Sequence, residues 1–442
     1  MPKKADVTAL RAIRKSTNLS GKLAHKAGHV LNRVEQKANR MIVGRTGSDT
    51  GNGSVSLDTL IHHKFPYMSP IHPALPNIGQ KPAVVVFVPS LTPRGFYGGI
   101  ATLLIVSATL ANELDYDYTV VQTSGFEKNT AVLDFLGKQG VTIDPVRFHT
   151  LDVSQRTPDY FAYLPLHADD VVVVSAWWDA YTASRLPLRK KFVYMVQDYE
   201  PIFYNLSDEG VFAESTYHTQ NFLPVCNTQL LHKFFTKRGY DYIRDNAVWF
   251  EPAVAPGKPS KPQESNVKKI FLYGRPSVSR NLFYNALLAL DIAMQDERLQ
   301  QHTWELYIAG ESDIPSVKLH SGHVVKNLGK MDLDDYYRFA RTIDVAVSPM
   351  LAPHPNYPTL ELASLGASVV STKYETKQDL SFYSKNILMA EPTSQDMAAK
   401  IIQAASMSPA ERYKNLSSNN ISDSWAKNLQ EPVKKIAAKL KA

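Results

Sequence analysis

The run Val171 to Val174, four valines in succession after Asp170, constrains this chain more than any other feature. Consecutive β-branched side chains favour an extended strand, and a strand that is apolar on both faces is stable only where both faces are covered. The same texture recurs in AVVVFV (83–88), YTVVQT (118–123), KFVYMV (191–196), NFLPV (221–225), KKIFLY (268–273), TWELYIA (303–309), HVVKNLG (323–329), TIDVAVSP (342–349) and ASVVST (367–372). Between these runs the spacing predicts helices over about 99–114, 129–138, 227–237 and 280–294, after Met331, and from Pro358 onward. Strands alternating with helices predict an α/β fold with parallel sheets covered on both sides.

At 442 residues the chain exceeds one ordinary core, and its pattern pauses at a Pro- and Ser-rich stretch. The expected organisation is a basic amphipathic arm (1–45), a linker and proline-punctuated lead-in (46–80), and a first Rossmann-like domain (81–252). An interdomain linker (253–266), a second Rossmann-like domain (267–422) and a C-terminal helix (423–442) crossing back to the first domain complete it. Two doubly wound domains in tandem imply a cleft between them.

The net charge of +7 is concentrated in the arm, where eleven Lys or Arg stand against Asp6 and Glu35. Leu10, Ile13, Leu23, Val30, Leu31 and Val34 recur there at loosely helical spacing, a pattern that fits an anionic membrane surface. A solvated tail, or a helix that packs on the protein's own surface, fits equally. A nucleic-acid arm fits less well, because no nucleic-acid-binding module follows. A single cysteine, Cys226, excludes an internal disulfide and suits a reducing cytoplasm. No apolar run approaches the ~20 residues of a membrane span, and the N-terminus has no signal-peptide core.

In open parallel sheets, ligands sit beyond the carboxyl ends of the strands. There Gly98 and Gly99 open a helix and leave backbone N–H groups able to approach an anion. Arg275 ends one strand, Arg280 begins the next helix and Lys330 follows another strand, so three cations converge on strand ends of the second domain. In the first domain Trp177 and Trp178 have the flat faces on which a sugar stacks, with Asp179 to bond its hydroxyls; two core tryptophans are the alternative. Asp198 and Glu200 follow KFVYMV and are candidates to deprotonate or orient an acceptor, or simply to cap the next segment, with Asp198 preferred. Asp115 and Asp117 share an Asp-x-Asp spacing but occupy a turn, and the thirteen histidines show no zinc spacing, so no metal is expected.

GRPSVSRN, NLGKMDLDDYY and PHPNYPTLELASLG with the following KYETK resemble the nucleotide-binding half of GT-B glycosyltransferases, specifically bacterial rhamnosyltransferases that use dTDP-L-rhamnose. RGFYGGIATLL and YMVQDYEPIFY resemble that family's N-terminal half. The resemblance spans about residues 80–430 and leaves the arm outside. It implies two facing Rossmann-like domains, the donor bound mainly by the second and the acceptor by the first, and transfer with retention. On it, Arg275 and Lys330 become ligands of the donor diphosphate and Glu361 of the nucleotide ribose; Arg280 keeps the charge of a lysine common in relatives. Tyr357 and Thr359 belong to the same donor loop. Many retaining members carry two glutamates around this loop. The first position here is Pro353, which leaves His354 as the nearest polar group to contact the sugar.

The expected activity is transfer of L-rhamnose from dTDP-L-rhamnose to a growing cell-surface or cell-wall polysaccharide, on a lipid-linked or polymeric acceptor. It would proceed without cofactor or nucleic acid, in the cytoplasm or at the inner face of the plasma membrane. Another hexosyltransferase of the same fold, or a non-catalytic glycan-binding or scaffold subunit, would share much of this pattern.

Overall fold

The computed structural model describes residues 55–74, 81–89, 91, 98–124, 131–153, 156, 163–254, 259 and 265–441. The basic arm lies outside the described residues, as do residues 46–54 and 75–80 of the linker and lead-in and much of the interdomain linker. The chain divides into two compact units; the described part of the first includes a helix, Leu57–Lys64, capped by the Ser56 hydroxyl at the Thr59 amide. The other unit, residues 70–155 and 162–442, contains both large sheets.

In chain order the strands of the first sheet are β1 (Ala83–Val88), β2 (Asp117–Gln122), β3 (Val146–Thr150), β4 (Val171–Val174), β5 (Phe192–Val196), β6 (Phe222–Asn227) and β7 (Val248–Phe250). They lie in the order β3-β2-β1-β4-β5-β6-β7, all parallel. Every residue of β1 and β4 is buried, which is the reason their sequences carry no polar alternation. The second sheet has β8 (Val267–Tyr273), β9 (Thr303–Ala309), β10 (Val317–Lys318), β11 (Val324–Asn327), β12 (Val345–Val347), β13 (Ser368–Thr372) and β14 (Ile387–Ala390). Its order is β10-β11-β9-β8-β12-β13-β14, parallel except for the edge strand β10. Short β3, β7, β10 and β14 were not evident from the apolar runs.

Six helices matter here: α1 (Gly98–Leu114), α2 (Trp177–Ala183), α3 (Phe283–Ala293), α4 (Tyr357–Ser364), α5 (Ser394–Ser406) and α6 (Trp425–Lys441). Helix α6 presents Trp425, Leu429, Val433, Ile436 and Leu440 on one face and packs them beside α1 in the first sheet's core. The chain returns to that sheet through a bond from the Val254 amide to the Ser422 carbonyl, 2.9 Å. Helices α3 and α5 pack together over the second sheet.

Each sheet reverses its direction of winding once, between β1 and β4 in the first and between β8 and β12 in the second. Such a reversal splays the connections apart at the strands' carboxyl ends and leaves a crevice there. Both crevices open onto one cleft.

Candidate active site

The cleft encloses about 390 Å³ and is walled by strand-end residues of both sheets. From the first come Pro89, Gly98 and Gly99 after β1, Ser175, Trp178 and Asp179 after β4, Gln197, Asp198 and Glu200 after β5, and Asn227 closing β6. Tyr273, Arg275 and Arg280 follow or end β8, while Met350, His354, Asn356 and Tyr357 follow β12.

Backbone shape at the glycine turn is specified locally. Gly98 has φ +49°, open to glycine at little cost, and a side chain on Gly99 would place its Cβ 3.2 Å from the Gln197 amide nitrogen. Gln197 then ties the turn down, donating to the Gly99 carbonyl at 2.9 Å and the Ser175 hydroxyl at 2.8 Å. On the other side Asn356, at φ +74°, turns the Pro-rich loop into α4; its amide side chain donates to the Ser348 hydroxyl at 2.9 Å. Asparagine tolerates this left-handed conformation better than most side chains.

Polar contacts cross the cleft. The Tyr357 hydroxyl lies 2.6 Å from the Thr102 hydroxyl on α1 and accepts from the Asn227 amide at 3.0 Å. The Arg280 guanidinium stands 3.9 Å above the Phe203 ring, and its Nε is 3.7 Å from Asp198 Oδ2, an ion pair too long for a hydrogen bond. Asp198 Oδ1 accepts from the Tyr199 amide at 2.9 Å. Burial pushes the Asp198 carboxyl up to about 6 even though Arg280 and Lys377 pull it down. Glu200 is shifted further, to about 8, by burial and then by Asp179, against a bond from the Trp177 amide to its Oε2 at 3.2 Å.

The sequence-derived candidates separate into two groups. Gly98, Gly99, Trp178, Asp179, Asp198, Glu200, Arg275, Arg280, His354 and Tyr357 all reach the cleft wall. Trp177 does not serve as a stacking platform: it is fully buried, its indole N–H donates to the Tyr204 hydroxyl at 2.8 Å, and its ring packs on Trp178 and Phe212. The first turn of α2 thus sends one tryptophan into the core and the other to the cleft. Thr359 is on the buried face of α4, donating to the Ser348 carbonyl at 3.4 Å. Lys330 stands exposed beyond β11 and is absent from the residues lining the cleft. Glu361 is also outside that lining; its carboxylate accepts from the Tyr337 hydroxyl at 3.2 Å, and burial pushes it up to about 7.

Gln197, Asn227 and Tyr273 are cleft residues that sequence reasoning passed over, although each ends or follows a strand and was open to the same rule. Lys377 gave no comparable signal. It is wholly buried, donating to the Met350 carbonyl at 2.8 Å, and burial pushes its ammonium down to about 7. Among the described residues no group of three or more His, Cys, Asp or Glu is placed to hold a metal, and no helix is long and apolar enough to cross a membrane.

Comparison with known proteins accords with this geometry. Residues 84–229 match the family described as WsaF, N-terminal domain, and residues 268–402 match WsaF, C-terminal domain. The O-antigen biosynthesis protein RfbC of Myxococcus xanthus is 32% identical over 253 residues, 57% of this chain but 19% of that protein's length. Among solved structures, HepE of Anabaena in complex with UDP and glucose aligns with TM-score 0.55 at 16% identity, over 82% of this chain and 100% of that one. WaaG, a glycosyltransferase involved in lipopolysaccharide biosynthesis, aligns with TM-score 0.53 at 13% identity, over 81% and 100%. Over residues 84–229 and 268–402, which together make up more than half of the chain, the protein belongs to the WsaF family, with the GT-B fold of glycosyltransferases.

Proposed function

We propose that the protein is a glycosyltransferase of surface-polysaccharide assembly that moves L-rhamnose from dTDP-L-rhamnose to a lipid-linked or polymeric glycan, with retention. The observation that carries this reading is the meeting of two strand-order reversals on one cleft, with cations on one wall and carboxylates on the other. Arg275 and Arg280 bind the diphosphate and stabilise its charge as it departs, while Trp178, Asp179 and Glu200 hold the acceptor. Asp198 acts here as the anchor of Arg280, since its carboxylate already faces that guanidinium. The dTDP-rhamnose assignment draws support from the sequence resemblance over residues 80–430, and the polymer assignment from the RfbC relative. The complex of HepE with UDP and glucose favours the alternative of another hexosyl donor on the same scaffold.

The arm, residues 1–45, attaches the protein to the anionic inner face of the membrane; each basic residue near such a surface contributes about 1 kcal/mol. With two arginines serving the diphosphate, transfer proceeds in EDTA. A thermal-shift screen against dTDP, UDP, GDP and their sugars tests the donor, because a ligand at about 100 times its Kd adds roughly 2.7 kcal/mol. Selective stabilisation by dTDP and dTDP-L-rhamnose is expected. A UDP preference would replace rhamnose by another hexose, and no response to any nucleotide would leave a glycan-binding scaffold.

A further inference from the structure

His354 lines the cleft yet is only 4% exposed, and the two nitrogens of its ring are treated differently. Nδ1 accepts from the Asn356 amide at 3.0 Å, so Nδ1 carries no proton and the neutral ring must carry its hydrogen on Nε2. Turning the ring over would set a carbon against that amide and leave a buried N–H without an acceptor. Nε2 itself is buried and has no hydrogen-bond partner in the protein. A buried donor left unsatisfied is costly, and a ligand oxygen in the cleft would relieve that cost.

We infer that His354 is a fixed, uncharged hydrogen-bond donor whose Nε2–H binds a hydroxyl oxygen of the sugar carried by the nucleotide. The identity of that ligand rests on the glycosyl-transfer reading; the tautomer does not. Neighbouring charges keep the ring neutral: burial, then Lys377, then Arg280 push its pKa down to about 3. Lys377 is fixed on the Met350 carbonyl, Asp198 offsets part of the charge of both cations, and Tyr357 packs its ring 5.4 Å from the imidazole. Anionic oxygens are served by Arg275 and Arg280 on the same wall, so the neutral N–H suits a neutral oxygen. Such a group also does not serve as a general base near neutral pH, because its one free lone pair is occupied by the Asn356 amide.

The test is nitrogen-15 NMR of the full chain labelled at histidine, with His354→Gln identifying the resonances. The expected result is a pyrrole-type Nε2 and a pyridine-type Nδ1 that stay unchanged from about pH 5 to about pH 8, where an ordinary histidine titrates. Saturation with dTDP-L-rhamnose should shift the Nε2–H resonance, and dTDP alone should not. Affinity for the nucleotide sugar should fall about tenfold in His354→Leu, one neutral hydrogen bond's worth, with dTDP affinity unchanged and His354→Gln recovering part of the loss. An Nδ1–H tautomer or titration near pH 6.5 would overturn the fixed donor. An equal shift with dTDP alone would make the contact a phosphate, and no shift with any of dTDP-L-rhamnose, dTDP-glucose or UDP-glucose would remove the sugar contact. Failure of the donor assignment alone would appear separately, as a thermal response to a different nucleotide.

Discussion

Arg280 of the second sheet and Asp198 of the first face each other at 3.7 Å with little access to water. Burial works against both charges: it lowers the arginine and raises the aspartate, and in each case outweighs the partner's opposing pull. An ion pair of this kind contributes little net stability while intact, but removing one member strands the other.

Arg280→Met should therefore destabilise the protein by about 3 kcal/mol at pH near 8, the low end for a stranded buried charge because Lys377 remains beside Asp198. Below the folded value of about 6 the aspartate takes up a proton and the loss should shrink. Adding Asp198→Asn should restore most of the stability at the higher pH. Urea unfolding of the single and double variants near pH 5 and pH 8 measures this; equal losses at both, with no recovery, would show that the pair is not coupled.

Tyr357 makes a second crossing, to Thr102 and Asn227. Thr102 keeps a bond to the Gly98 carbonyl at 2.9 Å if the phenol is removed, but the wholly buried Asn227 loses an acceptor for its amide. Tyr357→Phe should cost about 1–2 kcal/mol in denaturant unfolding, and Asn227→Leu in the same background should add less than it does alone. Strict additivity of the two would mean that the hydrogen bond contributes nothing.

How far the sequence disclosed this site depended on what each residue's role leaves in local pattern. Strands buried on both faces announce themselves, so β1, β4, β5 and the buried centre of β8 were legible, and with them the strand-end positions of Asp198, Arg275 and Arg280. Val146–Thr150 is half-buried throughout and contains Arg147 and His149, so it lacked the apolar run that marks the others. Trp177 and Trp178 are indistinguishable as neighbours in sequence, and only the rotation of α2 decides which meets the cleft. Lys377 reads as a surface residue in KYETK; its burial comes from the turn that bonds Tyr374 and Lys377 backbones to each other at 2.7 and 3.0 Å.

Arg275 and Lys330 can be told apart by binding. Arg275 lines the cleft, and a charge-assisted bond to phosphate is worth about 1.5–3 kcal/mol, so Arg275→Ala should weaken dTDP binding at least tenfold. Lys330→Ala should leave it within about twofold. Calorimetric titration of both decides, and a large loss in Lys330→Ala alone would place the diphosphate outside this cleft.

Glu200 sets the pH dependence of stability most directly. Its carboxyl, raised to about 8 in the fold from an ordinary value near 4.5, holds a proton that the unfolded chain releases. The native state therefore binds more protons between those limits, and the stability this confers, complete below about 4.5, is lost as pH rises toward 8. Glutamine in its place keeps an oxygen for the Trp177 amide and offers its NH₂ to the Tyr194 hydroxyl, which now lies 3.4 Å from Oε1. Glu200→Gln should match the wild type near pH 4.5 and become the more stable of the two as pH rises, by on the order of 5 kcal/mol above pH 8. Because Glu200 also lines the cleft, the gain should come with slower transfer to acceptor. Chemical denaturation across that range is the measurement: a difference that does not grow with pH would show that Glu200 is ionised within the fold, its burial offset by its two donors.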